Sequence, residues 1–309
     1  MVVGESPTKD LYRRVVWGPW REALERGPFG FEYVANRRLG LVAGLLVSRR
    51  AGGTRARVEA NLGRAFPQRT DLARVARRTF GAHFVNQYAS FAFGRITADN
   101  WPRYLVWEGL EHVEAARAAG EGLVLVHPHM GPAQLPLCVL GAMGFPVHQV
   151  GGGEPQVEKS EGGRRASELR HRLEARMPVT LHDGAGYLRK VLRALASGEI
   201  VLTACDGTGG GKEIGRRLER TVLGQRMRVP VGGFWLACKA KARVHTLHVV
   251  PDGLRHRAIV GARVHVPTDP DEAMEAGADA TAAFLTRVLA AHAEEWHFWD
   301  AFEPGGLLA

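Results

Sequence analysis

Gly122-Leu-Val-Leu-Val-His-Pro-His-Met-Gly-Pro-Ala-Gln134 is the stretch on which the reading of this chain turns. Residues 123–126 form a short, unbroken apolar run, as expected of a strand buried on both faces of a parallel sheet. The run stops abruptly at His127, Pro128, His129, Gly131 and Pro132, residues that turn a chain or carry polar groups. In open α/β sheets ligands collect just beyond the carboxyl ends of the strands. Histidines placed there are candidates for chemistry, because an unperturbed imidazole titrates near neutral pH.

Working outward, strands are expected at 101–108, 147–150, 179–181, 200–205, 244–250 and 258–266. Helices are expected at 110–119, 136–143, 186–195, 232–241 and 271–292, with residues 223–230 extended and basic. That alternation predicts an α/β fold, a central mainly parallel sheet flanked by helices. The first hundred residues read differently. A helix ends near Asn61-Leu-Gly-Arg-Ala-Phe-Pro67, and Asp71 is placed to cap another that runs to about residue 93, with Val75, Phe80, Phe84, Tyr88 and Phe91 on one face. The expected organisation is therefore an N-terminal helical region, 1–100, on an α/β core, 101–309, as a single integrated domain.

The run Leu39-Gly-Leu-Val-Ala-Gly-Leu-Leu-Val47 lies between Arg37, Arg38 and Arg49, Arg50. It is too short to span a bilayer, which takes roughly 20 apolar residues. Apolar residues flanked by arginines suit a helix lying on a membrane surface; packing on the core is the alternative. Net charge is +9 over 309 residues, which favours anionic partners such as a lipid surface or a phosphate-bearing substrate. Nucleic acid fits the charge, but no nucleic-acid module is present. Cys138, Cys205 and Cys238 are far apart, sit in apolar contexts and read as buried free thiols of a reducing compartment. With no secretory leader pattern at the N-terminus, a cytoplasmic protein is expected, peripheral on the inner face of the cell membrane.

Several chemistries are set aside. There is no G-x-S-x-G nucleophile elbow. Asp206-Gly-Thr-Gly-Gly-Gly-Lys212 is glycine-rich but does not match a phosphate-binding P-loop. His127 and His129 form an H-x-H pair without an evident third ligand, so no metal is expected.

Five segments, in order, resemble the lysophospholipid acyltransferase superfamily, in its branch of lipid A late acyltransferases and phosphatidylinositol mannoside acyltransferases. They are Asn61 to Pro67; His129-Met-Gly-Pro-Ala-Gln134, where that family has H-x-x-x-x-[DE]; Leu192-Arg-Ala-Leu-Ala-Ser-Gly198 with Asp206-Gly; Leu223-Gly-Gln-Arg-Met-Arg-Val-Pro-Val-Gly232; and Glu294-Glu-Trp-His-Phe-Trp299. The resemblance implies transfer of a fatty-acyl group from acyl-CoA or acyl-carrier protein to a hydroxyl of a glycolipid or related acceptor, with no cofactor beyond that co-substrate. It implies His129 as general base, Gly131 amides near a developing oxyanion, and basic residues (Arg164, Arg165, Arg226 and Arg228) on phosphates. His127 would be a supporting residue near the site. An apolar groove for the chain is sought among residues 84–93 and 135–143.

One position departs from the pattern: Gln134 stands where the acid belongs. A carboxamide oxygen can accept a hydrogen bond from the imidazole but supplies no charge. Three explanations are open. Another carboxylate, Asp206 or Glu154, substitutes; the acceptor is a stronger nucleophile, an amine or thiol; or the chain binds acyl groups without transferring them. A soluble transferase acting on a carrier-bound metabolite is a further alternative.

Overall fold

The 123–126 run forms the middle of the sheet, and its alternate side chains enter opposite cores. The computed structural model describes residues 7–28, 30–47, 53–150, 160–182, 186–207 and 215–309. In chain order these form α1 (Pro7–Val15), a kinked turn at Val16–Trp20, α2 (Arg21–Arg26), α3 (Phe31–Val47), α4 (Thr54–Ala65) and α5 (Leu72–Phe93). Next come β1 (Leu105–Glu108), α6 (Leu110–Ala118), β2 (Leu123–His127), α7 (Leu135–Ala142), β3 (Val147–Val150), α8 (Glu161–Glu174), β4 (Thr180–His182), α9 (Tyr187–Ala196) and β5 (Ile200–Ala204). The chain closes with β6 (Arg217–Val222), β7 (Gln225–Pro230), α10 (Gly232–Ala240), β8 (Arg243–Asp252), β9 (Arg255–Val264) and α11 (Pro270–Ala291).

Among the described residues seven strands make one sheet in the order β1-β9-β8-β2-β5-β3-β4, and within it only β8 and β9 pair antiparallel. Val124, Val126 and Val201 face a core closed by α4, α9, α10 and α11, together with the C-terminal aromatics Trp296, Trp299 and Phe302. Leu123, Leu125 and Leu202 face a second core closed by α6, α7 and the end of α5. This is the two-sided burial that a continuous apolar strand requires. A third cluster joins Val16 and Leu24 to Phe84, Tyr88 and Phe91 of α5, fixing the N-terminal helices to the body.

Three local expectations change. Residues 101–103 are a 3-10 turn rather than strand, and β1 begins at Leu105; Pro102 has no N–H to donate to a ladder. Asp71 does precede α5, but its carboxylate takes Arg69 and Arg74 instead of capping the helix. The 223–230 segment is half of a hairpin, β6–β7, closed by Leu223 and Gly224, both at positive φ.

Residues 39–47 belong to α3, where Leu41, Val42, Leu45 and Leu46 are exposed; Leu11 and Val15 of α1 and Phe31 are exposed as well. Among the described residues no helix is long and apolar enough to cross a membrane.

Candidate active site

Strand register builds the site. β2 and β5 are parallel neighbours with His127 opposite Ala204, so continuing both strands by two residues brings His129 opposite Asp206. The two side chains meet: Asp206 Oδ1 lies 2.7 Å from His129 Nδ1, and Asp206 Oδ2 accepts the His129 backbone N–H at 2.7 Å. The same Oδ2 accepts the indole N–H of Trp296 at 2.8 Å. Burial pushes the Asp206 carboxyl up. The His129 charge and these hydrogen bonds outweigh that effect and hold it below the usual carboxylate range. Asp206 is completely buried, whereas the His129 side chain is 33 % exposed. An ionised carboxylate on Nδ1 fixes the tautomer with the proton on Nδ1, which leaves the Nε2 lone pair to accept a proton. Among the described residues Nε2 has no hydrogen-bond partner.

The C-terminal segment holds this loop in place. Met130 bridges Trp296 antiparallel; Gly131 N–H donates to Glu295 O at 3.0 Å and His297 N–H to His129 O at 3.0 Å. His297 Nε2 donates to Gly131 O at 2.7 Å, and the Phe298 ring lies 4.5 Å from the His129 ring, centroid to centroid. Gly131 takes φ +52° in the turn, a conformation that glycine adopts freely.

Two expectations at this loop are overturned. Gln134 does not hold the imidazole: its Nε2 donates to Gln149 Oε1 at 3.3 Å, and the Nδ1 position it would serve is filled by Asp206. Gly131 does not offer its amide to an oxyanion, because Glu295 O takes it; the amides of His129, Met130 and Ala133 are likewise bonded. His127 is buried, its Nδ1 on the Pro128 carbonyl at 3.2 Å, and burial followed by the neighbouring His129 pushes its imidazole down to about 4. It is a neutral wall residue at pH 7. Glu154 lies outside the described residues.

The expected phosphate-binding arginines are dispersed. Arg165 pairs with Glu161 at 2.6 Å and lines a groove between α1 and α8 with Arg13, Arg14 and Arg172; Arg164 is exposed on α8 beside it. Arg226 pairs with Glu219 across the hairpin, and Arg228 donates to Gly306 O at 3.0 Å. Among the described residues neither hairpin arginine makes a hydrogen bond or ion pair with His129. The residues expected to line an acyl groove are mostly packed into the core. Phe84, Tyr88, Phe91 and residues 137–140 are core, and the cavity bounded by Val85, Tyr88, Ala89, Ala92 and Leu135 measures about 50 Å³. The described residues contain no His/Cys/Asp/Glu group able to hold a metal.

Asn61 and Arg64, quoted above as an N-terminal signature, bind the C-terminal segment: Asn61 Nδ2 donates to Trp299 O at 2.8 Å and Arg64 to Phe302 O at 2.9 Å. The roles of Trp296, His297 and Phe298 at the site were not read from the sequence. The aromatic density of 296–299 was the available signal.

A sequence model of the family described as bacterial lipid A biosynthesis acyltransferase matches residues 31–300. No curated protein matches the chain. Among solved structures, the crystal structure of the 1-acyl-sn-glycerophosphate (LPA) acyltransferase PlsC from Thermotoga maritima is similar at 13 % identity and a TM-score of 0.38, over 85 % of this chain and 99 % of that one.

Proposed function

The chain belongs to the bacterial lipid A biosynthesis acyltransferase family, whose chemistry is acyl transfer to a lipid, and we propose that His129 is the general base of that transfer. The donor is a fatty-acyl thioester, on CoA or acyl-carrier protein, and the acceptor a hydroxyl of a glycolipid or related lipid. One observation carries the reading: a buried Asp206 carboxyl on Nδ1 of a partly exposed His129. This is the arrangement a base needs, since the carboxylate orients the ring and stabilises the imidazolium that forms. It also favours a working site over a degenerate one. The motif acid is missing, but a carboxylate from the next strand stands in its place.

In the proposed reaction Nε2 of His129 takes the acceptor's hydroxyl proton as the oxygen attacks the thioester carbonyl. The tetrahedral intermediate collapses with cleavage of the C–S bond, and the imidazolium returns its proton to the departing thiolate, giving ester and thiol. The oxyanion's donor is not an amide of the 129–133 loop.

The exposed apolar residues of α1 and α3 support docking on the inner face of the cell membrane, with the protein's positive charge drawing it to anionic lipid. The test is thiol release from palmitoyl-CoA, and from palmitoyl-loaded acyl-carrier protein, with vesicles that contain a glycolipid. The wild type releases thiol and forms ester, and His129→Ala abolishes both. Equal rates in the two proteins overturn the assignment.

A further inference from the structure

The Glu294-Glu-Trp-His-Phe-Trp299 ending lies on both halves of the site, and the base reading does not by itself use it. We propose that Trp296 is a positioning residue: its indole N–H fixes the Asp206 carboxylate so that Asp206 in turn fixes His129. The inference rests on the general-base reading of His129.

The geometry is specific. Asp206 accepts three N–H groups, two from His129 and one from Trp296 at 2.8 Å, and both Asp206 and Trp296 are fully buried. A buried indole N–H requires an acceptor. The Trp296 ring is held against Trp299, with centroids 4.8 Å apart and planes at 89°, and against Phe302 at 5.7 Å. The donor is therefore fixed by packing before any substrate arrives. With Oδ2 held by Trp296 and the His129 backbone, Oδ1 has one remaining orientation, toward Nδ1. Packing alone asks only for a large ring at position 296; the contact with Asp206 asks for a ring that donates. The other contacts of the segment act on the same loop: Glu295 O holds Gly131 N–H, and His297 holds His129 O and Gly131 O.

An N–H donor on a carboxylate lowers its proton affinity and spreads its charge. Removing only that donor makes Asp206 more basic, strengthens its pull on the imidazolium, and moves the acid limb of the kcat–pH profile to higher pH. Among the described residues the ionisable groups around the pair are His127 from β2, Cys205 beside Asp206, His297 from the C-terminal segment, and Arg217 of β6, whose Nη1 is 3.8 Å from where a Cβ on Gly207 would stand. None of them is changed by a substitution confined to the indole nitrogen.

The experiment compares Trp296→Phe with a chain carrying 3-benzothienylalanine at 296, which keeps the ring's shape and replaces N–H by sulfur. The assay is thiol release from palmitoyl-CoA with glycolipid vesicles. Both variants are expected to lose about 10- to 100-fold in kcat, by analogy with losing an orienting partner, with KM within twofold. The acid limb is expected to move up by about half a pH unit or more. A 7-azatryptophan chain, which keeps the N–H, is expected to keep both kcat and limb. A benzothienyl variant with wild-type kcat and pH profile overturns the proposal, even if Trp296→Phe fails to fold. His129→Ala separates the two claims. An active His129→Ala removes the base reading, whereas an inactive one beside a fully active benzothienyl variant removes only the role of Trp296.

Discussion

At the scale of single residues, the chain departs at Gln134 from the pattern it resembles, and the structure puts a different carboxylate, Asp206, on His129 Nδ1. An imidazole that works as a base needs one acceptor on Nδ1, and that place is filled by Asp206; an acid at 134 would compete for an occupied position. Two substitutions therefore separate by orders of magnitude. Asp206→Asn lowers kcat by about 10³- to 10⁴-fold, on the scale of the serine-protease triad, whereas Gln134→Ala lowers it less than about tenfold, because its amide meets Gln149 rather than the ring. Steady-state rates of thiol release for the two variants decide it, and the reverse ranking would return the orienting role to position 134. His129 was legible because a strand end is a local feature. Asp206 was legible only as one of two candidates, since β2 and β5 become neighbours through a register no local pattern encodes.

At the scale of elements, α3 and α5 cross where two glycines meet. A Cβ on Gly40 would stand 2.4 Å from Gly81 Cα and 2.6 Å from Phe80 O, but one on Gly44 would make its closest approach at 3.4 Å, to the Phe80 ring. Gly40→Ala is expected to destabilise by about 1–3 kcal/mol through overpacking, while Gly44→Ala is neutral or stabilising by up to about 1 kcal/mol from helix propensity. Urea midpoints of the two variants test the pair. The same helix carries Arg37, which donates to the buried Glu295 at 3.0 Å. Arg37→Ala strands that carboxylate and is expected to cost about 3–5 kcal/mol, as for other broken buried pairs. Because Glu295 O also holds Gly131 N–H, activity should fall with stability. The β6–β7 hairpin shows why an element escaped the sequence: its two-residue turn has φ +50° at Leu223 and +74° at Gly224. The usual signal for such a turn is Asn-Gly or Asp-Gly, and a leucine at the first position hides it.

At the scale of the whole molecule, acid should destabilise the protein in a defined window. His127 and His256 are buried, and burial, the largest cause for each, pushes their imidazoles down to about 4 and about 3. Their unfolded values lie near 6.5, so below that pH the unfolded chain binds protons that the folded protein refuses. Stability is therefore present above about pH 6.5 and falls as pH drops toward 4, by about 1.4 kcal/mol per pH unit for each imidazole. His256→Phe removes one of these protons, along with a buried Nε2 that has no partner among the described residues, and should flatten the fall of denaturant midpoints with pH; an unchanged slope contradicts the account. Flotation with anionic vesicles tests the exposed face of α3: Leu45→Asp with Leu46→Asp is expected to reduce binding several-fold. The sequence by itself determined the α/β alternation, the central strand and the histidine at its end, because strand period, chain-turning residues and apolar runs act over a few neighbours. Only the tertiary structure decided which carboxylate lies on His129, that Trp296 donates to it, that Asn61 and Arg64 tie down the far end of the chain, and that Phe84, Tyr88, Phe91 and residues 137–140 pack into the core. Those contacts join residues tens to hundreds of positions apart, and their geometry is set by strand register and core packing, which no short window of sequence contains.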